Sequence, residues 1–338
     1  MKRPDFNEML AVLKGEKPSR PVLFEFFLNE PLYKKLAGVD DPSLKQGETF
    51  EWHCCNITAY HKAGYDFATI GTGFCFPKPE IHKEDTISLN DGVMISDRKS
   101  FEKYPWPIPD EANYALYGQL KKVLPDGMKI IACGPGGVLE NVISLAGYDN
   151  LCMMLADDPK LVQDIFDAVG SRLVRHYEIC CSFDTVGAAI SNDDWGFKSQ
   201  TMLSPADMRK YVIPWHIKIV ETIHSYRKPA ILHSCGNLVE VMDDIIDVIK
   251  YEAKHSYEDV ILPVEDAYEK WGSRIAILGG IDIDFLMRNT PEKIRDRSKN
   301  MLERTKSGGG YALGSGNSIP QYVPDEKYFA MISAANIR

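Results

Sequence analysis

The chain has 338 residues, of which 44% are hydrophobic and 26% are charged, a balance typical of a soluble globular protein with a large core. Its net charge of -9 argues against nucleic acid or an anionic membrane surface as the main partner. The sequence contains no apolar run of about 18 residues that could span a membrane and no signal peptide, so we expect a cytoplasmic protein with reduced cysteines.

Hydrophobic periodicity, together with boundaries set by Gly and Pro, predicts strands and helices that alternate along the chain. The predicted strands cover residues 21–27, 65–70, 129–133, 185–190, 229–232, 275–279 and 311–313. The predicted helices cover residues 4–15, 46–63, 111–124, 141–156, 159–181, 204–227 with a break near Pro214, 238–250, 263–271, 291–306 and 325–335. Residues 71–106 are predicted to be mostly irregular.

Strands separated by helices form parallel βαβ units, and this many units in one chain favour a closed (β/α)8 TIM barrel over an open sheet. No Pro- or Ser-rich linker divides the sequence, so we expect one domain that spans residues 1–338. In such a barrel the active site lies where the strands end. Polar residues follow four of the predicted strands, at Asn192 to Asp194, at His233 to Cys235, at Asp282 and at Gly314 to Ser318.

His233 and Cys235 are the most informative pair. They are two positions apart at a strand end, where alternate side chains point to the same side. Imidazole and thiolate are ligands that suit zinc. The alternative is a buried cysteine in a turn beside a hydrogen-bonded histidine. A lone His-x-Cys pattern does not decide between these interpretations.

The neighbouring polar residues also have two interpretations each. Asp193 and Asp194 could bind a cation or act as acid and base, but either could cap the next helix. The Gly-rich segment with Asn317 and Ser318 could hold an anionic group, or it could be a plain turn. Glu25, inside an apolar run, is a candidate third metal ligand or a member of a salt bridge.

These motifs together resemble the uroporphyrinogen decarboxylase superfamily, and within it the corrinoid-dependent, cobalamin:coenzyme M type of methyltransferase. The resemblance covers nearly the whole chain. It rests on the segments 104–107, 134–137, 157–159, 192–198, 203–205, 233–237, 279–282 and 314–320. It implies a (β/α)8 barrel, which agrees with the alternation of strands and helices.

Two departures from the family pattern stand out. True decarboxylases of the family carry an Arg-rich segment near the N-terminus that grips porphyrinogen carboxylates, whereas residues 26–31 here contain no Arg. The methyltransferase branch binds zinc through His-x-Cys and a later Cys. His233 and Cys235 match the first two ligands, but the later Cys falls at Asn317, so another ligand such as Glu25, Asp193, Asp194 or Asp282 is required.

The resemblance therefore implies an enzyme that moves a methyl group between a thiol, methyl ether or methylamine and cobalamin on a partner protein, with zinc held by His233 and Cys235. We expect Asp193, Asp194 and Asn317 to be catalytic. Residues expected to contact the substrate are Glu25, Asn29, Asn192, Asp282 and Ser318. The alternatives are a metal-free carboxy-lyase that acts on a tetrapyrrole or smaller acid, and a non-catalytic binder of such molecules. A homodimer is left open.

Overall fold

A computed structural model describes residues 3–47, 49–78 and 88–336, so residues 79–87 of the stretch predicted to be irregular lie outside the description. Seven parallel strands form one sheet in which each strand pairs with the next along the chain. These strands are β1 (Phe67–Gly71), β2 (Lys129–Cys133), β3 (Val186–Asn192), β4 (Ala230–His233), β5 (Ala253–His255), β6 (Ala276–Leu278) and β7 (Tyr311–Ala312). All the predicted strands after the first are confirmed in position to within a few residues.

The first predicted strand, 21–27, joins the β7 side of the sheet through isolated bridges rather than a continuous ladder. Leu23 bridges Leu313 just beyond β7, and Leu28 bridges Ile319. Phe24 N donates to the Leu313 carbonyl oxygen over 2.8 Å. Between the two bridges, the Glu25 carboxylate accepts the hydrogen bond of Ser315 N–H over 3.2 Å. A side chain thus takes the place of a backbone acceptor, and the prediction of a regular strand here is wrong.

Helices cover the outside of the sheet in the βαβ order expected of a barrel. They are α1 (Phe6–Leu13), α2 (Glu30–Ala37), α3 (Phe50–Ala63), α4 (Arg98–Lys103), α5 (Ala115–Gln119), α6 (Val138–Ala146), α7 (Tyr148–Asp157), α8 (Pro159–Cys181), α9 (Pro205–Asp207), α10 (Ile213–Ser225), α11 (Val264–Trp271), α12 (Ile283–Arg288), α13 (Pro291–Thr305) and α14 (Asp325–Ser333). The predicted break near Pro214 is confirmed, because a π-helical turn at Met208–Val212 precedes α10.

Besides 204–227, three predicted helices are not continuous α-helices. The segment 141–156 is divided at Gly147 between α6 and α7. The segment 238–250 forms a 3₁₀ turn at Val239–Val241 and a π-helical turn at Asp244–Ile249, since its β-branched residues have low helix propensity. The segment 111–124 breaks into 3₁₀ turns on either side of α5, where the Asn113 side chain accepts a hydrogen bond from the backbone N–H of Ala115.

Strand β5 was not predicted, because it has only three residues and contains Lys254. This strand is important for the site. The in-register pairing of β3, β4 and β5 aligns Asn192, His233 and His255 at the carboxyl ends of these strands. Among the described residues, no helix is both long and apolar enough to cross a membrane.

Candidate metal centre at the strand ends

Three side chains at the ends of β3 and β4 form a group that could hold one metal ion. The ligand atoms of Asp194, His233 and Cys235 all lie within 4.8 Å of one another. The distance from Cys235 Sγ to His233 Nε2 is 3.8 Å. Tetrahedral zinc with ordinary bond lengths would hold a sulfur and a nitrogen about 3.5 Å apart. The donor set and its spacing therefore fit zinc with only a small adjustment.

Asp194 also fixes the loop that carries the thiol. Its Oδ1 accepts a hydrogen bond of 2.8 Å from the backbone N–H of Cys235. The loop bends at Gly236, whose φ is +87° and whose missing Cβ would lie 2.1 Å from the Gly196 carbonyl oxygen. Only glycine fits this position. The close approach of the two loops holds the carboxylate and the thiol on the same side of the barrel mouth.

A chain of hydrogen bonds determines which nitrogen of His233 is free. His255 Nε2 lies 3.1 Å from the carbonyl oxygen of Ser315, which can only accept, so this nitrogen carries the proton. His255 Nδ1 is then an acceptor in the neutral ring, and it lies 2.7 Å from His233 Nδ1. His233 must therefore donate from Nδ1, which leaves the lone pair of Nε2 directed toward the group of ligands.

Burial keeps both imidazoles neutral. The pKa of His233 is held well below its usual range by burial, then by the nearby His255 and Lys254. Burial likewise lowers the pKa of His255 to about 3. The pKa of the Cys235 thiol is raised to about 12, first by burial and then by the charge of Asp194. Without metal this site holds a thiol and two neutral imidazoles at neutral pH.

Asp193, unlike Asp194, uses its carboxylate to stabilise the fold. Its carboxylate is fully buried and accepts hydrogen bonds from the N–H groups of Leu139 and Glu140, at 3.0 and 2.9 Å, in the first turn of α6. It also accepts from His216 Nε2 at 2.8 Å. The cap of α6 is Gly137, which has no side chain to satisfy these donors, and a Cβ there would lie 2.0 Å from that of Asp193. Asp193 therefore caps α6 from β3.

Asn317 occupies the position at which the family resemblance would place a later Cys. Its Nδ2 donates a hydrogen bond of 3.2 Å to Cys235 Sγ. Asn317 and Ser318 line an open cavity of about 650 Å³ beside the thiol. Asp282 lines the same cavity, but its two carboxylate oxygens accept from the N–H groups of Phe285 and Asp259, so it caps α12.

The remaining predicted residues are not members of the group of three candidate ligands. The Glu25 carboxyl group is fully buried and accepts hydrogen bonds from the N–H and the hydroxyl of Ser315. Asn29 caps α2 through the N–H of Leu32, and its Nδ2 donates to the carbonyl oxygen of Pro320. Asn192 Oδ1 is buried and, within the described part of the chain, has no hydrogen-bond partner, which leaves it available to a ligand.

Sequence reasoning missed three residues around the site. His255 orients His233, and Lys254 Nζ donates to the backbone carbonyl oxygens of Ser234 and Ser256 from a buried position. One weak signal was available, since His-Ser occurs at 233–234 and 255–256, both at strand ends, but it also occurs at 224–225, at the end of α10. Glu140 lies beside Asp193 and Asp194, and its pKa is raised to about 8 by burial and by their charges.

Comparison with known proteins supports this architecture. The family model for uroporphyrinogen decarboxylase (URO-D) matches residues 100–337. The chain belongs to this family. A curated uroporphyrinogen decarboxylase from Hydrogenovibrio crunogenus is 23% identical over 188 residues, which are 54% of this chain and 49% of that protein. The chain thus spans about half the length of this curated relative.

A methyltransferase from Methanosarcina mazei has a similar structure. The two structures superpose with a TM-score of 0.76 at 17% sequence identity, and the match covers 99% of each chain. At this identity the similarity establishes the fold of this URO-D family member, a parallel α/β barrel.

The adjacent aspartates provide a matched test. We expect Asp193→Asn to lower the free energy of unfolding by about 2–4 kcal/mol, because three buried donors lose a charged acceptor. Asp194→Asn should instead weaken zinc binding at least tenfold with a smaller loss of stability. Urea denaturation and zinc titration of both variants measure the two effects. Equal effects of the two substitutions on zinc binding would contradict the assignment.

Glu25 gives a pH-dependent prediction. Burial raises its pKa to about 8, although the bonds from Ser315 act in the opposite direction. Between about pH 4.5 and pH 8 the folded protein therefore binds more protons than the unfolded chain, and this group lowers stability as the pH rises. As the pH is raised from 5 to 9, the free energy of unfolding of Glu25→Gln should increase by about 2 kcal/mol or more relative to that of the wild type. Urea denaturation at the two pH values measures this difference. Glu16→Gln, at an exposed position, is the control and should show no such gain.

Proposed function

We propose that this protein is a corrinoid-dependent methyltransferase that uses zinc to activate its small substrate. The observation that supports this function is the group formed by Asp194, His233 and Cys235, whose ligand atoms lie within 4.8 Å of one another. Three protein ligands are typical of catalytic zinc, which keeps its fourth position for water or substrate. Zinc bound there would act as a Lewis acid that favours the deprotonated form of a substrate thiol or hydroxyl.

The chain's own residues prepare this site. His255 holds His233 in the tautomer that presents Nε2, and Asn317 donates to Cys235 Sγ, which stabilises negative charge on that sulfur. Lys254 lies buried nearby. Burial lowers its pKa to about 8, although the charges of Cys235 and Asp194 act in the opposite direction. Its ammonium group would offset part of the negative charge that a thiolate and a carboxylate bring into the barrel.

The methyl group would move between the heteroatom of the substrate and cobalamin carried by a partner protein. The open cavity of about 650 Å³ beside Asn317 offers an approach for that partner. Val260 and Tyr322 lie on its wall, and they are the two most exposed large hydrophobic side chains of the described residues, at 70% and 65%. Exposed apolar groups at the rim of a cavity are typical of an interaction surface.

Removal of the thiol is the direct test of this function. We expect near-stoichiometric zinc in the wild type, measured by elemental analysis, and its loss in Cys235→Ser, because one of three ligands is replaced by a poorer one. Cys152→Ser, at an exposed cysteine on α7, should keep its zinc. Absorbance spectra of methylcobalamin with thiol acceptors should show demethylation by the wild type and the Cys152 variant only.

The absence of both zinc and methyl transfer would contradict this function. If the wild type binds no zinc after reloading and transfers no methyl group, the methyltransferase proposal is wrong. Release of CO2 from uroporphyrinogen III by both the wild type and Cys235→Ser would favour the metal-free carboxy-lyase instead.

The docking surface can be tested separately. We expect Tyr322→Asp to raise the KM for a corrinoid-binding domain loaded with methylcobalamin about tenfold, because a charge would replace an aromatic contact. Turnover with free methylcobalamin and the zinc content should stay unchanged. Met153→Asp, at a side chain that is 58% exposed on α7, is the matched control. Equal KM values for the two variants would contradict docking at this cavity.

A further inference from the structure

A second cavity, of about 400 Å³, lies at the end of the sheet opposite the candidate metal centre. Its wall includes Tyr311, the first residue of β7, and residues 17–21, which precede the first barrel segment. The candidate metal ligands instead lie at or beyond the carboxyl ends of β3 and β4. Substrates of parallel barrels bind at the carboxyl ends of the strands. This cavity is therefore separate from the site proposed for methyl transfer.

Hydrogen bonds fix the segment 17–21 against the rest of the protein. The backbone N–H of Ser19 donates to Glu8 Oε2 on α1 over 2.7 Å. Just before this segment, the carbonyl oxygen of Glu16 accepts from the N–H of Gly310 over 3.3 Å. The cavity is thus bounded by anchored backbone on both sides. A ligand would enter a largely preformed site and would not have to order a loose loop.

The described residues that line this cavity carry more positive than negative charge, although the whole chain has a net charge of -9. Their one acidic residue is Glu303. Their basic residues are Lys17, Arg20, Lys299 and Lys306. Arg20 is paired with Asp66, and Lys306 is paired with Glu303. Lys17 and Lys299 form no ion pair within the described part of the chain. One unpaired ammonium group from the segment 17–21 and one from α13 are therefore free to bind an anion.

The same wall also has an apolar part. Pro18 and Pro21 line the cavity from one side, and Leu302 of α13 lines it from the other. Small-molecule sites in proteins have volumes of about 300–1,000 Å³. A cavity of about 400 Å³ belongs to this class and has more room than an inorganic anion fills. The wall thus fits a molecule that has an anionic end and an organic body.

We propose that this cavity binds a small organic phosphate monoester, with the phosphate between Lys17 and Lys299 and the organic group against Leu302. At neutral pH such a phosphate carries about two negative charges, which match two ammonium groups. A carboxylate carries one charge and would leave one ammonium group unpaired. The bound ester would link the segment 17–21 to α13. It would thereby stabilise the part of the fold where isolated bridges, rather than a ladder, join the first barrel segment to the β7 side.

Calorimetric titration of the purified full-length protein with phenyl phosphate tests this inference. We expect Lys17→Gln and Lys299→Gln each to raise the dissociation constant about tenfold, because each removes one of the two charges that face the phosphate. Lys121→Gln, at an exposed lysine elsewhere on the surface, is the matched control and should bind like the wild type. Circular dichroism identifies any variant that has not folded.

Two further titrations test the two ends of the ligand. Benzoate, which has the same ring and one negative charge, should bind at least tenfold more weakly than phenyl phosphate. Leu302→Asn should weaken the binding of phenyl phosphate but not that of inorganic phosphate, because only the organic group contacts this side chain. In thermal unfolding, phenyl phosphate should raise the Tm of the wild type and leave the Tm of Lys299→Gln nearly unchanged.

The titration of Cys235→Ser with phenyl phosphate separates this inference from the proposed function. Binding equal to that of the wild type supports a site away from the candidate metal centre, whatever the zinc analysis shows. Loss of binding in Cys235→Ser would overturn the inference. It is also overturned if the wild type does not bind phenyl phosphate, if either folded lysine variant keeps wild-type affinity, or if inorganic phosphate binds as tightly, which would indicate an adventitious ion only.

Discussion

The orientation of His233 depends on a hydrogen bond made at the other side of the barrel. The Ser315 carbonyl oxygen, in the loop after β7, accepts from His255 Nε2 and so fixes the proton positions on two neighbouring imidazoles. The N–H and hydroxyl of the same Ser315 are held by Glu25 in the first segment of the barrel. Closure of the barrel and presentation of the His233 lone pair are therefore parts of one network.

Asp193 and Asp194 are adjacent in the sequence but have different roles, since the first caps a helix and the second is a candidate metal ligand. The Asp193 carboxylate bonds to α6, whereas the Asp194 carboxylate bonds to the backbone of Cys235. The Asp193 carboxylate accepts hydrogen bonds from the first turn of α6 and from His216. The Asp194 carboxylate accepts one hydrogen bond, from the backbone N–H of Cys235, and its other oxygen can bind a ligand. The two residues are equivalent in the sequence, and only their partners distinguish them.

Much of the fold could be predicted from the sequence, because strands such as Lys129–Cys133 and helices such as Pro159–Cys181 carry strong local patterns. Strand β5 could not, since its three residues are held in place by pairing with β4 and β6 rather than by propensity. The same limit applies to the site. The spacing of His233 and Cys235 predicted that they lie together, but the roles of His255 and Asp194 depend on strand register and on a loop contact.

The exchange of a sulfur for the amide of Asn317 has a consequence for oxidation. In the group of candidate ligands defined by the described residues, Cys235 is the single thiol, so two cysteines of the group cannot be joined in a disulfide. With a pKa raised to about 12 the free thiol is also a poor nucleophile toward peroxides at neutral pH. If a metal is held by this group as proposed, its loss would leave a lone thiol with no disulfide partner inside the group, unlike a site built on two cysteines.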